Sequence, residues 1–421
     1  MRVDLPYPDC SVNIPNARLM GVYALPTVPP NGTEAVLIRQ ALANPIGAPP
    51  LASLAHGAYA VLIVCDDVSR PTPAYKIIPH VLEELRAARV PNERIAFIMA
   101  LGTHRPMTAA EMRAKVGDEV FERYHVFNHA WDDPATLEYM GDTSDGVPVW
   151  INRRVAQASV VIGIGRIMPI DVCGFTGGGK ILVPGLCGEV TNSEMHWVRA
   201  STNAASVVGT RDNPVRAAID TLARQAGLLF IVNVIMDGTG RIRGCVAGDL
   251  AAAHRVGVRQ ARRFHEVAFP ERPDIVLTDG APFDIEWWQA NKALDTAGLV
   301  VRPGGQVIVV SPCYEGLSQT HAEEILRYGY PSREEIIALV NDGKLPHKVV
   351  GVHMLQVREV MDRAKVTLVT DGIPPEDVER TGLRWAATPQ EALDRALAES
   401  GPDARVAVLR GAAEMLPVLP D

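Results

Sequence analysis

AYAVLIVCDDVSRPTP, Ala58 to Pro73, is an unbroken apolar run that ends in two aspartates and a proline-bearing polar turn. A run of this length bounded by turn residues reads as a strand buried on both faces. The helix-period segment IIPHVLEELRAARV, Ile77 to Val90, then makes it the first half of a strand–helix unit. The same order recurs twice. RIAFIMALGTHRP (Arg94–Pro106) leads into MTAAEMRAKVG (Met107–Gly117), and ASVVIGIGRIMP (Ala158–Pro169) leads into a glycine-rich loop. Alternating strands and helices specify an α/β architecture with a mainly parallel sheet. Open sheets of that kind bind ligands beyond the carboxyl ends of their strands, and each polar cluster falls there.

A boundary is expected at FPERPD, Phe269 to Asp274, where two prolines and three charges interrupt the apolar pattern. A second series follows: PDIVLTDGAPFD, the helix IEWWQANKALDTAGLV, GGQVIVVSPCYEG, KVTLVTDG, TPQEALDRALAES and RVAVLRGAAEMLPVL. The expected fold is therefore α/β with two domains, each a mainly parallel sheet flanked by helices, and an active site in the cleft between them. Residues 1–269 form the expected cofactor-binding and catalytic domain. Residues 270–421 form the carboxyl-terminal α/β domain, whose last segment either stays with it or packs back on the first. A length of 421 residues fits two domains.

A net charge of −8 argues against a nucleic-acid groove or an anionic membrane surface, both of which favour clustered Lys and Arg. The amino terminus has no basic segment followed by an apolar one, and no long apolar run occurs elsewhere. A cytoplasmic protein acting on a small molecule is expected. The six cysteines lack metal-knuckle or disulfide-framework spacing.

Four polar clusters carry the chemistry. In CDDVSRPTP, Arg70 beside Asp66 and Asp67 either clamps a carboxylate or phosphate or pairs with an aspartate in the turn. In LGTHRPMT, His104 is either a general acid–base or a hydrogen-bonded strand-end residue. The stretch CGFTGGGKIL fits G-x-x-x-x-G-K from Gly174 to Lys180, but Ile181 stands where a hydroxyl should meet magnesium. Its Gly177, Gly178 and Gly179 would let a ligand approach closely, with Lys180 as a desolvated nucleophile or as the point charge of an anion nest. Arg166, Asp171 and His196 flank this loop. In WWQANKALD, Gln289 and Lys292 share a helix face and could donate jointly to an oxygen-rich substrate, as could a merely solvated face.

In order and character, DDVSRPTP, GTHRP, GFTGGGK with a histidine sixteen residues after its lysine, and QANK resemble the nickel-pincer-nucleotide lactate racemase family. The likeness spans residues 60–300 by motif and the whole chain by layout. It implies a nickel cofactor, pyridinium-3-thioamide-5-thiocarboxylic acid mononucleotide, joined to Lys180 as a thioamide. Asp67, Arg70, Gly177, Gly178 and Gly179 would lie on the cofactor side. His196 would be the nickel ligand; imidazole with soft sulfur suits square-planar Ni(II). The implied reaction is inversion at C2 of a 2-hydroxy acid by reversible hydride transfer, with His104 taking the hydroxyl proton and Arg70, Gln289 and Lys292 binding substrate. Implied partners are that acid and the enzymes that mature the cofactor.

One departure stands out. Lactate-active members resembling this chain carry a second catalytic histidine after the proline that precedes the glycine-rich loop, and here Pro169 is followed by Ile170. Asp171, a substrate group or a water must then serve the second face, and a substrate larger than lactate is expected, polyhydroxy or aryl-bearing. Trp287 and Trp288 are expected to form a bulky wall. Two other functions use the same residues: a metal-free Schiff-base lyase or aldolase acting through Lys180, and a non-catalytic nucleotide-binding protein.

Overall fold

In the computed structural model, which describes residues 1–29, 31–143 and 146–419, the run that opens this reading is the strand Val61–Asp66. It pairs in parallel with Ile95–Ala100 on one side and Val160–Arg166 on the other. Alternate side chains feed two separate cores, as expected for a strand covered on both faces. Ile63 and Cys65 join Ile77, Val81 and Leu85 of the helix Ala74–Ala87. Leu62 and Val64 join Ile219 and Leu222 of the helix Pro214–Gln225 and Val258 of the helix Ala252–His265.

Among the described residues this first sheet has six strands, in the order Ile242–Gly248, Leu228–Met236, Val160–Arg166, Val61–Asp66, Ile95–Ala100 and His125–Asn128. All pairings are parallel except that of Ile242–Gly248 with Leu228–Met236. The second sheet is parallel throughout, in the order Arg384–Ala386, Ala364–Val369, Gly305–Val310, Ile275–Asp279, Val406–Arg410 and Leu19–Ala24.

The last of these strands differs from the sequence reading, which placed residues 1–269 in one domain. Leu19–Ala24 is an edge strand of the second sheet. Ahead of it, the hairpin of Arg2–Asp4 with Ser11–Asn13 brings Val3, Leu5, Val12 and Ile14 into the core of Ile275, Leu277 and Val408. The reason is physical: this amino-terminal apolar surface finds its cover on a sheet built almost entirely from the far end of the chain. Conversely, Glu266–Ala268 pairs in parallel with Leu416–Val418, and Leu416 packs into the first domain's core. There the buried Arg166 and Glu414 form an ion pair at 2.7 Å, and His265 donates from Nδ1 to the Glu414 carbonyl at 2.8 Å. Arg105 ties the domains again, bonding both Glu111 at 2.8 Å and Glu315 at 2.6 Å. No helix among the described residues is long and apolar enough to cross a membrane.

The polar loop after Val61–Asp66 is held from beneath. Lys115, buried, donates to Asp66 Oδ1 at 3.0 Å and to the Arg70 carbonyl at 2.7 Å, and Thr72 Oγ1 donates to Asp66 Oδ2 at 2.5 Å. Asp66 is thus a structural clamp. Lys115→Met should leave its carboxylate buried without a counter-charge and lower stability by about 3–5 kcal/mol, read from the urea midpoint. An unchanged midpoint would show that the clamp carries no such weight.

Candidate active site

Three strand ends of the first sheet converge with helices of both domains on a single cavity. Loop 66–72 supplies Asp67 and Arg70, the end of Ile95–Ala100 leads to His104, and the end of Val160–Arg166 leads to Ile170, Asp171, Gly177 and Lys180. The helix Glu189–Trp197 adds His196, and the helix Trp287–Val300 adds Gln289 and Lys292 from the other domain. The sequence-derived site is therefore brought together, with two exceptions: Gly178 and Gly179 do not line the cavity.

His104 is oriented at both nitrogens. Its Nδ1 lies 2.5 Å from Asp67 Oδ2, while Asp67 Oδ1 accepts from Ser69 N at 3.1 Å and Ser69 Oγ at 2.5 Å. Burial pushes the Asp67 carboxyl up, but His104 and Arg70 together hold it well below the usual carboxylate range. An ionised Asp67 fixes the proton on Nδ1 and leaves the Nε2 lone pair as the basic site. Asp67 was expected on the cofactor side; its oxygens are instead spent on His104 and Ser69. Neighbouring Asp66, the last residue of the strand, is bound instead by Lys115 and Thr72.

At Nε2, His104 meets the side-chain nitrogen of Gln289 at 3.0 Å. The Gln289 oxygen accepts from Arg70 Nη1 at 2.8 Å and from Lys292 Nζ at 2.6 Å. Arg and Lys can only donate, so the amide has one consistent orientation. Burial, then Arg70, depresses the Lys292 amine well below its ordinary value.

The amine of Lys180 has no hydrogen-bond partner among the described residues and faces the cavity. Burial lowers its pKa, aided by Arg70 and Arg216 and opposed by Cys173 and Asp171. The glycines before it shape the loop. Gly177 and Gly178 sit at φ of +80° and +60°, and Gly178 N–H donates to Asn233 Oδ1 at 2.8 Å. A Cβ on Gly177 would come within 2.8 Å of Asn233 and Ile167, one on Gly178 within 3.0 Å of His254, and one on Gly179 within 2.8 Å of Ala223. Gly178 and Gly179, expected beside the cofactor, lie off the cavity lining: their missing side chains let the loop pack against the protein, and this aims Lys180.

His196 donates from Nδ1 to the Asn192 carbonyl at 2.9 Å, one helical turn back, which leaves the Nε2 lone pair without a partner among the described residues. Burial first, then Lys180, pushes its pKa down to about 4, so the imidazole is neutral near pH 7. A neutral imidazole fixed through its other nitrogen to a carbonyl is the form that ligates metals.

On the Ile170 side, Asp171 accepts from Gln356 Nε2, and its carbonyl accepts from Arg199 Nε at 3.2 Å. Arg199 bonds Glu359 at 2.9 Å, and Asp295 lies close enough to Asp171 for burial and that charge to raise its carboxyl well above the ordinary range. Of the two tryptophans expected to wall the site, Trp288 lines the cavity, whereas Trp287 is core and donates to Tyr330 at 2.8 Å.

Residues 7–208 match the family model described as the lactate racemase N-terminal domain, and residues 270–416 match that of the lactate racemase C-terminal domain. The chain belongs to the lactate racemase family. It is 28% identical over 380 residues to the lactate racemase of Lactiplantibacillus plantarum, covering 90% of this chain and 89% of that protein. It is 27% identical over 321 residues to a lactate racemase of Thermoanaerobacterium thermosaccharolyticum, covering 75% of each. Among solved structures, the lactate racemase apoprotein from T. thermosaccharolyticum superposes with a TM-score of 0.87 at 24% identity, covering 99% of this chain and 100% of that one. A Thermotoga maritima protein shares the fold at a TM-score of 0.74 and 20% identity, covering 92% and 98%.

Within this family framework, one wall of the cavity escaped the sequence reading. Val349, Val352, His353 and Gln356 line it from the helix Lys348–Met361. Their i, i+3, i+4, i+7 spacing was visible, but the same stripe describes an ordinary core face. His353 stacks on Trp288 with ring centroids 4.4 Å apart and meets Tyr330 at 3.1 Å.

Proposed function

We propose that this protein is a racemase or epimerase that inverts C2 of a 2-hydroxy acid, using nickel carried by a pyridinium mononucleotide linked to Lys180. The observation that carries this reading is the meeting, in one cavity, of an unpartnered lysine amine, an imidazole with a free lone pair and an oriented histidine base. Among the described residues no group of three His, Cys, Asp or Glu side chains converges as a metal site. A metal beside His196 would therefore bring its other donors with it, which a sulfur-armed nucleotide does. When bound, that group supplies an electron-poor ring that accepts the C2 hydrogen with its electron pair.

The chain's own residues do the rest. Arg70 and Lys292 bind the carboxylate. His104 Nε2 takes the hydroxyl proton while Asp67 stabilises the imidazolium. On the opposite face Ile170 holds no proton, and Asp171 beside it takes that part. The wall of Trp288, Asn291, His353 and Gln356 offers polar partners beyond C3, so the substrate is larger than lactate and polyhydroxy acids suit it best.

Deuterium at C2 tests the reaction. Holoprotein given 2-deuterated acids in ordinary water should return inverted product that keeps its label, with larger hydroxy acids turned over faster than lactate. Rapid label loss would point to carbanion chemistry, and equal rates with lactate would remove the size argument. For the metal, His196→Ala should lower bound nickel in matured protein and shift its visible absorption; full nickel with an unchanged spectrum would exclude this ligand. The depressed Lys180 amine also suits imine formation. Borohydride trapping of a 2-keto acid on Lys180 would favour a Schiff-base lyase instead.

A further inference from the structure

We infer that Gln289 is an internal competitor of the substrate, covering the lone pair of His104 until a carboxylate takes Arg70 and Lys292 from it. The inference rests on the reading of those residues as the substrate's partners. Its basis is an atom-by-atom correspondence. The Gln289 oxygen sits between two cations, at 2.8 Å and 2.6 Å, and the amide nitrogen sits 3.0 Å from His104 Nε2. Bond lengths near 1.23 Å and 1.33 Å put those two amide atoms about 2.3 Å apart. A 2-hydroxy carboxylate presents a similar pair, an anionic oxygen and a hydroxyl on the next carbon, only slightly wider. Its carboxylate would take the cations and its hydroxyl would donate to Nε2. The two ligand sets, internal and external, cannot both be satisfied.

The electrostatics favour exchange. The hydrogen bonds of Arg70 and Lys292 go to oxygens of Ser69 and Gln289, none of them a carboxylate. Both cations also lie over the face of Phe283, at 5.8 Å and 5.5 Å from its centroid. A carboxylate is a better partner for a desolvated cation pair than a neutral amide oxygen. Once it arrives, the Gln289 amide has lost both acceptor bonds, and nothing holds its nitrogen on His104. A plain carboxylate replaces only the oxygen half and leaves His104 open. A 2-hydroxy acid replaces both halves and covers Nε2 with its own hydroxyl, which makes the exchange selective for that class.

The test uses full-length apoprotein and reads carbethoxylation of His104 by diethyl pyrocarbonate, followed by peptide mass spectrometry. Saturating propionate should speed modification of His104 in the wild type by about five- to ten-fold, the scale of losing one hydrogen bond at the lone pair. Glycolate, which brings a hydroxyl, should leave it slow. Gln289→Met should react at the fast rate without propionate and gain nothing from it. Gln289→Glu retains the cations but cannot donate to Nε2 when ionised, so it too should react fast and ignore propionate. Circular dichroism confirms that each variant is folded. A wild-type rate equal to that of Gln289→Met, or one unmoved by propionate, overturns the inference. Because this readout needs no cofactor, fast rates with no racemisation by holoprotein would sink the proposed function and leave the cap standing. Racemisation with equal rates would do the reverse.

Discussion

Lys180→Ala is expected to abolish inversion of 2-hydroxy acids while leaving the fold intact. The side chain makes no hydrogen bond among the described residues, so its removal orphans no partner there. The loop around it is held by backbone and glycine packing that alanine preserves: Gly178 N–H on Asn233 at 2.8 Å and Leu182 N–H on the Gly179 carbonyl at 3.0 Å. Taking a partly desolvated amine out of the cavity costs no stability. The measurement is intact mass together with activity. Matured wild type should carry the added mass of the nucleotide and its metal, and the variant should show the bare chain, an unchanged melting temperature and background turnover. A variant that retains nickel and activity would remove Lys180 from the mechanism.

Acid should unfold this protein before most of its carboxylates are protonated. His129, His254, His265, His321 and His353 are each 2% exposed or less. Burial pushes all five down from an ordinary 6.5: His129 and His265 to about 4, His321 and His353 to about 3, and His254 well below its ordinary value. Only Asp132 near His129 and Glu414 near His265 oppose this, and neither outweighs burial; both ring nitrogens of His321 lack any partner among the described residues. The sign follows from linkage. The folded pKa values lie below the unfolded one, so the unfolded chain takes up protons first. The stabilising contribution is complete above pH 6.5 and is lost as pH falls towards 4. Each histidine contributes a slope of about 1.4 kcal/mol per pH unit in that window. Asp279, raised to about 6 by burial, and His347, held up by Glu189, have the opposite sign and offset part of it. Five such slopes together come to about 14 kcal/mol over two pH units, comparable to a typical domain stability of about 5–15 kcal/mol, so unfolding is expected near pH 5. A melting temperature at pH 4.5 equal to that at pH 7 would show that these rings find proton acceptors on folding.

Both results depend on burial, and burial is where the sequence was most and least informative. The continuous apolar run at Val61 implied cover on both faces, because no other arrangement removes every side chain of such a strand from water. Its recurrence implied parallel sheets and put the polar clusters at strand ends. The resemblance of the ordered motifs to the lactate racemase family implied one site for His104, Lys180, His196, Gln289 and Lys292; strand-end logic alone reaches only the clusters around His104 and Lys180, because His196, Gln289 and Lys292 stand on helices. Ile170 was visible as a departure only against the motif of the family that the chain resembles.

What the sequence could not carry was anything that depends on which distant surface covers which. Leu19–Ala24 reads as a short, half-exposed run, and its partner Val406–Arg410 lies almost the whole chain away; no local pattern names it. Asp66 and Asp67 are chemically identical neighbours, and only the packing around the strand end divides them between Lys115 and His104. Gly178 and Gly179 read as room for a ligand until His254 and Ala223 are seen against them. His353 and Gln356 read as a core stripe until the cleft opens on that face of the helix. Periodicity reports whether a side chain is buried. Its partner is settled by long-range packing, where loop closure and cross-domain contacts decide between arrangements that local sequence leaves equal in energy.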